Sequence, residues 1–310
     1  MSAARPLLVV SGYASIDYAL QLAPFEGFDA TTIVRARAEE WPRYGGVAHV
    51  TRAASLADAG VDVAALSWVG SDAEGHRWID AVASSGADTV GVAVSAGRSP
   101  SSHLLYPEGA GTICLFDPGD AGTDRLTDAQ RTLLGAADVA VVTIGPECAT
   151  RELLAAVRPD CRLFWILKQD PSSLTDALLS ELSARAWAIT LSDGERGALD
   201  RILPLAAPGT LVVVTRGSRG SELLRISADR SLESLGEVPS SPVSGVDTTG
   251  AGDTFSGTLA ALLAGETGTA PSPQRVLADL ERASLATARM LAERRSAPEP
   301  RNTPEKKRTR

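Results

Sequence analysis

Short runs rich in β-branched and aromatic residues alternate along this chain with Ala- and Leu-rich stretches, and that alternation narrows the possible folds more than any other feature. Pro6–Ser11, Val61–Val69, Val139–Ile144, Arg162–Leu167, Trp187–Leu191 and Leu211–Thr215 read as strands, several of them apolar throughout. Thr51–Ala59, Glu74–Ser85, Ala149–Val157, Ser173–Ala186, Asp253–Ala264 and Arg275–Arg294 read as helices. A strand that is apolar on both sides needs cover on both faces, and intervening helices supply it. The expected class is therefore α/β, with a mostly parallel central sheet. Two segments break the rhythm. Residues 18–43 hold strand-like pieces without a helix, and 101–118 contain Ser102–Tyr106 and Thr112–Phe116 around a Pro-Glu-Gly-Ala-Gly turn, the pattern of a β-hairpin. Together they are expected to form a small accessory sheet over the mouth of the main one.

Charge and cysteine usage exclude several classes. The 310 residues carry a net −8, but residues 294–310 alone carry +5, leaving −13 for the rest. The body of the chain thus has no basic footprint for nucleic acid. The tail at 296–310 is Pro- and charge-rich without an apolar anchor and is expected to be disordered, which leaves 1–295 as the folded unit. Cys114, Cys148 and Cys161 lack a C-x-x-C spacing, and His49, His76 and His103 lie far apart, so neither a disulfide framework nor a zinc site is expected. No stretch reaches 18 apolar residues, and the N-terminal apolar run is too short for a secretion signal. A cytoplasmic protein without a membrane partner is the expectation.

The segment Asp247-Thr248-Thr249-Gly250-Ala251-Gly252-Asp253 carries the chemistry. Apolar residues at 255, 259, 262 and 263 place a helix directly after it. Gly250, Ala251 and Gly252 therefore lie where a loop becomes a helix N-terminus, and there unpaired N–H groups and the helix dipole favour an anion. Asp253, in the first turn, would sit beside that anion as a proton acceptor. A capped helix preceded by a glycine turn fits the same residues.

This string resembles the second signature of the ribokinase (PfkB-type) carbohydrate kinase family, and further segments follow in the family's order over roughly residues 6–295. The resemblance implies a ribokinase-like three-layer sandwich with a small β lid, and transfer of the γ-phosphate of ATP, with Mg²⁺, to a hydroxyl of a sugar or sugar-like molecule. It implies Asp253 as catalytic base, with Gly250, Ala251 and Gly252 as the anion hole. Gly12-Tyr13-Ala14-Ser15-Ile16-Asp17 is similar to the family's substrate-binding segment, which assigns Asp17 to substrate hydroxyls, although a loop cap is equally consistent. Gly45-Gly46 is similar to the first signature, but His49 and Thr51 stand near where the family has Asn. Ser192-Asp193-Gly194-Glu195 resembles an N-x-x-E motif with Ser in place of Asn; Glu195 would act on Mg²⁺ through water, and a Ser192/Glu195 capping box is compatible with that role. Asp170-Pro171-Ser172 resembles a D-P-N segment. Thr215, Gly217 and Gly220, in a T-x-G-x-x-G-like loop, join Thr248 on the nucleotide side, with Ala283–Thr287 as an adenine wall; a plain hairpin turn is the other reading of 215–220. Arg216 or Arg219 could add charge there. Family membership leaves a nucleoside substrate open, with Tyr13, Tyr18, Phe25, Trp41 and Tyr44 available for stacking, and it also leaves open a non-catalytic ligand-binding homologue. It further implies a possible homodimer through the lid.

Overall fold

The computed structural model describes residues 4–120, 125–170, 173–241, 243, 247–266 and 271–295. Fourteen strands run in chain order: β1 Leu7–Ser11, β2 Ala14–Leu22, β3 Val34–Arg37, β4 Arg43–Gly46, β5 Asp62–Gly70, β6 Asp88–Ser95, β7 Ser101–Pro107, β8 Ile113–Asp117, β9 Val139–Val142, β10 Arg162–Ile166, β11 Ala186–Ser192, β12 Leu211–Thr215, β13 Ser221–Ile226 and β14 Leu232–Val238. The helices are α1 Val47–Leu56, α2 Ala73–Ser84, α3 Asp128–Ala136, α4 Glu147–Ala156, α5 Asp176–Arg185, α6 Leu199–Ile202, α7 Ala251–Ala264 and α8 Pro273–Arg295.

Nine strands form the main sheet in the order β14-β13-β12-β11-β10-β9-β1-β5-β6. All neighbours from β12 to β6 pair in parallel, and β13 and β14 add antiparallel at one edge. Alternate residues of the buried strands feed opposite faces, as strand geometry requires. Leu8 and Val10 enter the core beneath Trp78, Phe255, Leu259 and Leu280, whereas Val9 enters the one beneath Leu134, Leu153, Leu178 and Ile202. Helices α1, α2, α7 and α8 therefore cover one face and α3 to α6 the other, giving three layers. No helix among the described residues is long and apolar enough to cross a membrane.

The accessory segments form a separate sheet ordered β3-β2-β7-β8, with β4 also paired to β2. It takes strands from Ala14–Gly46 and Ser101–Asp117, so it begins at β2, earlier than residue 18, and includes Gly45 and Gly46. β2 and β7 are parallel, whereas β3, β4 and β8 are antiparallel to their neighbours. The expected tail at 296–310 lies outside the described residues.

Helix α1 starts at Val47 and ends at Leu56, earlier at both ends than the 51–59 expected from apolar spacing. Gly46 has φ +62°, which breaks the β4 strand and starts the helix at once, and positive φ at Asp58 and Gly60 closes the far end. β6, α3 and the β13–β14 hairpin were not among the sequence expectations. β6 and β14 are the two edge strands of the main sheet, β13 lies just inside β14, and the mixed polar patterns of all three carry little periodicity; α3 is a short helix set by a Thr127/Gln130 capping box.

Helices α1 and α7 run in close contact, which brings both N-termini to the carboxyl ends of β1 and β10. Gly257 makes the approach possible, since a Cβ there would lie 2.4 Å from the Val50 carbonyl oxygen. Gly257→Leu is expected to destabilise the fold by about 1–3 kcal/mol, the usual cost of overpacking, seen as a lower urea midpoint with an unchanged slope.

Candidate active site

The carboxyl ends of the parallel strands β1, β9, β10, β11 and β12 lie along one end of the main sheet, where open α/β sheets place their ligand crevices. At the centre lies the loop leading into α7. Gly250 is its N-cap with φ +74°, and a Cβ there would also lie 2.8 Å from His49 Cδ2, so both backbone and space demand glycine. Ala251 N–H turns back to the Thr248 carbonyl at 3.0 Å, and Thr254 N–H reaches that of Gly250 at 2.8 Å. Among the described residues, no backbone carbonyl accepts from the N–H groups of Gly250, Gly252 or Asp253. The space a Cβ of Gly252 would take is open for at least 4 Å. Unpaired donors, open space and a helix N-terminus together suit a phosphate, with Ala251 contributing by its small size, since its N–H is already used.

Three distant elements hold this loop. Asp247 Oδ1 accepts from Thr249 N–H (2.9 Å) and Oγ1 (2.6 Å), and Oδ2 accepts from Arg43 Nη1 (2.7 Å). Arg43 is buried on β4 and also donates to Glu40 at 3.1 Å. The Tyr106 hydroxyl of β7 hydrogen-bonds the Thr249 hydroxyl. From the end of α8, Arg294 Nη1 donates to the carbonyls of Asp247 (3.1 Å) and Thr249 (2.5 Å). In a trans peptide C=O and N–H point opposite ways, so drawing the Thr249 carbonyl toward α8 turns the Gly250 N–H to the other side of the loop. Burial would raise the Asp247 pKa, but the bonds from Thr249 and Arg43 outweigh it and hold it low.

Asp17 faces this loop from β2 and is 6% exposed. The Ser15 hydroxyl donates to it and lies 2.8 Å from the Ser102 hydroxyl, and a Cβ on Gly45 would fall 2.1 Å from Asp17 Oδ2. Burial, with the Asp253 charge adding to it, pushes the Asp17 pKa to about 6 against the pull of its hydrogen bonds and Arg43. His49 is the third residue of α1, and its Nε2 is buried without a partner. Burial, helped by Arg294 and Arg43, lowers its pKa, so the ring is neutral. Thr51 bonds the carbonyls of Val47 and Ala48 in its own helix and does not reach the site.

On the far side of Asp253, Ser192 N–H and Oγ both donate to Glu195 Oε2 at 2.8 Å, so Glu195 caps the turn after β11. Thr215, ending β12, donates to the Leu191 carbonyl at 3.3 Å. The space a Cβ of Gly217 would take is open, whereas a Cβ on Gly220 would lie 2.0 Å from the Val238 carbonyl, a packing reason for that glycine. Arg216 pairs with Glu237 and Arg219 with Asp193, so both are engaged in protein ion pairs. Thr248 is exposed, while Ala283 is fully buried in the sheet-facing core. Pro171 and Ser172 lie outside the described residues, but Asp170 accepts from Ser173 Oγ at 2.8 Å. The donors and open space over Gly217 and Gly252 fit a polyphosphate. No group of three or more His, Cys, Asp or Glu among the described residues forms a metal cage. A magnesium ion carried by phosphate and water needs only a carboxylate such as Glu195.

Comparison with known proteins decides the family. The model of the pfkB family carbohydrate kinases matches residues 6–301. The chain belongs to the pfkB family of carbohydrate kinases. A fructokinase of Rhizobium leguminosarum bv. trifolii is 27% identical over 244 residues, covering 71% of this chain and 72% of the fructokinase. A ribokinase from Cryptococcus neoformans var. grubii serotype A in complex with ADP superposes with a TM-score of 0.71 at 20% identity, over 93% of this chain and 94% of that one. A Burkholderia thailandensis nucleoside kinase in complex with inosine gives 0.65 at 18% identity, over 92% and 90%. The likeness to these solved structures establishes the ribokinase-like fold with its separate small sheet.

Sequence reasoning missed four residues of this pfkB-family site, Tyr106 among them. Arg43 and Arg294 sit outside any glycine motif. Lys168, just past β10, places Nζ 3.5 Å from Asp253 Oδ1. A cation at the carboxyl end of a buried strand was the available signal for it.

Asp17 also yields a pH test. Its folded pKa of about 6 lies above the unfolded value, near 3.9. The stability it contributes is present below pH ~4 and is lost as pH rises through about 6, by an amount on the order of 3 kcal/mol. Asp17→Asn is expected to raise the melting temperature at pH 8, with the advantage vanishing toward pH 4 in a thermal-melt series.

Proposed function

We propose that this pfkB-family chain is a kinase that moves the γ-phosphate of ATP, carried with Mg²⁺, onto a hydroxyl of a sugar or sugar-like small molecule. One observation carries the reading. Asp253 stands beside unpaired N–H groups at the start of α7, and the buried Asp17 lies close enough across the cleft to feel its charge. A phosphate-binding corner, a base and a polyol-binding carboxylate are the parts that phosphoryl transfer to an alcohol requires.

In this reading Asp17, flanked by Gly45 and Gly46, accepts hydrogen bonds from acceptor hydroxyls, which charge assistance strengthens. Neutral His49 lies beneath Gly250 and can donate or accept at Nε2 toward the acceptor. Asp253 takes the proton of the attacking hydroxyl, while Gly250, Gly252 and Asp253 N–H groups bind the transferring group. Thr248, Thr215, Gly217 and Gly220 line the nucleotide side, and Ser192 orients Glu195 toward magnesium-bound water. The nucleotide supplies the phosphoryl group and the metal spreads its charge. The small sheet above excludes water.

The lid favours a sugar over a nucleoside. Neighbouring residues of a strand point to opposite faces, so Tyr18 points away from the face that carries Asp17. On that outer face it packs against Trp41 at 5.0 Å and His103 at 5.2 Å. Tyr44 is tied to Glu74, and Phe25 packs on Phe28. Of the five candidate stacking rings, only Tyr13, tilted against Phe116 at 4.9 Å, stands by the Asp17 face.

An ATP-consumption assay with Mg²⁺ tests this on ribose, fructose and deoxygluconate-type acids against adenosine, cytidine and pseudouridine. Turnover is expected with a sugar or sugar acid, and turnover confined to nucleosides would overturn the substrate class. Asp253→Asn is expected to lower kcat by about 100- to 10,000-fold with an unchanged melting temperature. Activity within a few-fold of wild type would remove Asp253 as the base.

A further inference from the structure

The acidic character of the site poses an electrostatic problem. Asp17, Asp170, Asp253 and Glu195 all face the region where a polyanionic nucleotide would meet its acceptor. Most nearby cations are already committed: Arg43 and Arg294 to the Asp247–Thr249 loop, Arg216 to Glu237 and Arg219 to Asp193. His49 is neutral. Among the described residues, Lys168 is the cation in ion-pair contact with Asp253, and its charge also feels Glu195 on the nucleotide side. Its ammonium thus contacts Asp253 and lies within range of the Glu195 charge.

The contact itself is loose. The ammonium lies 3.5 Å from Asp253 Oδ1, and the side chain is 40% exposed on a flexible four-carbon stem. Attraction to Asp253, opposed by burial, raises its pKa and keeps it an ammonium.

We propose that Lys168 is a catalytic residue of this kinase site, its ammonium moving from Asp253 onto the non-bridging oxygens of the phosphoryl group as transfer proceeds. The inference rests on the kinase reading above. As the ammonium leaves, Asp253 is freed to accept the acceptor's hydroxyl proton. The acceptor oxygen forms its bond to the γ-phosphorus, the bond from that phosphorus to the β,γ-bridging oxygen breaks, and ADP departs with the electron pair. Lys168 keeps its proton throughout and offsets the charge on the oxygens in flight. The same movement thus uncovers the base and clamps the group that the base helps to transfer.

The test compares Lys168→Met and Lys168→Arg with wild type, using the best acceptor from the substrate panel. For Lys168→Met, kcat is expected to fall by about 100- to 1,000-fold, the usual effect of removing one donor to a developing oxyanion. Acceptor KM and MgADP affinity should stay within a few-fold, and Lys168→Arg should recover much of the lost kcat. Calorimetry with MgADP, with and without aluminium fluoride as the phosphoryl mimic, gives a second readout. Wild type should bind MgADP more tightly with the fluoride present, and Lys168→Met should lose that gain. Wild-type turnover with Lys168→Met within threefold, or an equal fluoride effect in both, would overturn the role of Lys168 and leave the kinase reading intact. A wild type that neither turns over any acceptor nor binds MgADP would overturn both.

Discussion

The site depends on how one short loop is held. Asp247 is gripped by Arg43 of the small sheet and by Thr249 of its own loop, and Arg294 ties the loop carbonyls to the end of α8. Each bond is ordinary in strength, but Arg43 of β4, Arg294 of α8 and Tyr106 of β7, which bonds Thr249, come from different parts of the molecule. Phosphate binding by backbone N–H groups works only when those groups are aimed before the ligand arrives, since reorienting them during reaction would forfeit the gain. The three anchors supply that aim, and they make the small sheet part of the frame that holds the loop.

The same network sets the charge balance. Arg43 and Arg294 stay cationic, yet their charge is spent on the loop, so they depress the His49 pKa without neutralising the acceptor side. Asp17 is left buried beside Asp253, and its pKa rises to about 6. Burying a carboxylate without full compensation costs stability, and such a cost at a binding position marks function. Lys168 answers part of this imbalance from the opposite side of the cleft.

Much of the architecture was legible in the chain. The apolar strands from Val61 to Leu211 announced a covered parallel sheet because both their faces are buried, and the hairpin at 101–118 was legible from its turn residues. The edge strands β6 and β14 were less so, since an edge strand faces water along one side and its pattern blurs, and β13 beside β14 sets Glu222 and Arg225 among its apolar residues. The start of α1 was misplaced because a backbone conformation at Gly46, rather than apolar spacing, begins that helix. At the site, glycines and carboxylates in tight strings were readable, whereas Arg43, Tyr106, Arg294 and Lys168 were not. Each of these lies far in sequence from the loop it serves, and an isolated Arg or Lys in a sequence looks like any solvated surface charge.

By itself, the sequence determined the layered α/β class and the glycine loop at a helix start with an acidic residue in its first turn. These follow from local rules, the period of apolar residues and the conformations that only glycine adopts freely. Tertiary structure alone decided which N–H groups stay free, that Ala251 spends its own on Thr248, and that Asp17 is buried against Asp253. It also decided that Tyr18 packs on the lid face away from Asp17 and that Lys168 meets Asp253. Those outcomes depend on the register of β2 against β4 and β7 and on the packing of α1, α7 and α8, contacts between residues as far as 225 positions apart, which no local pattern encodes.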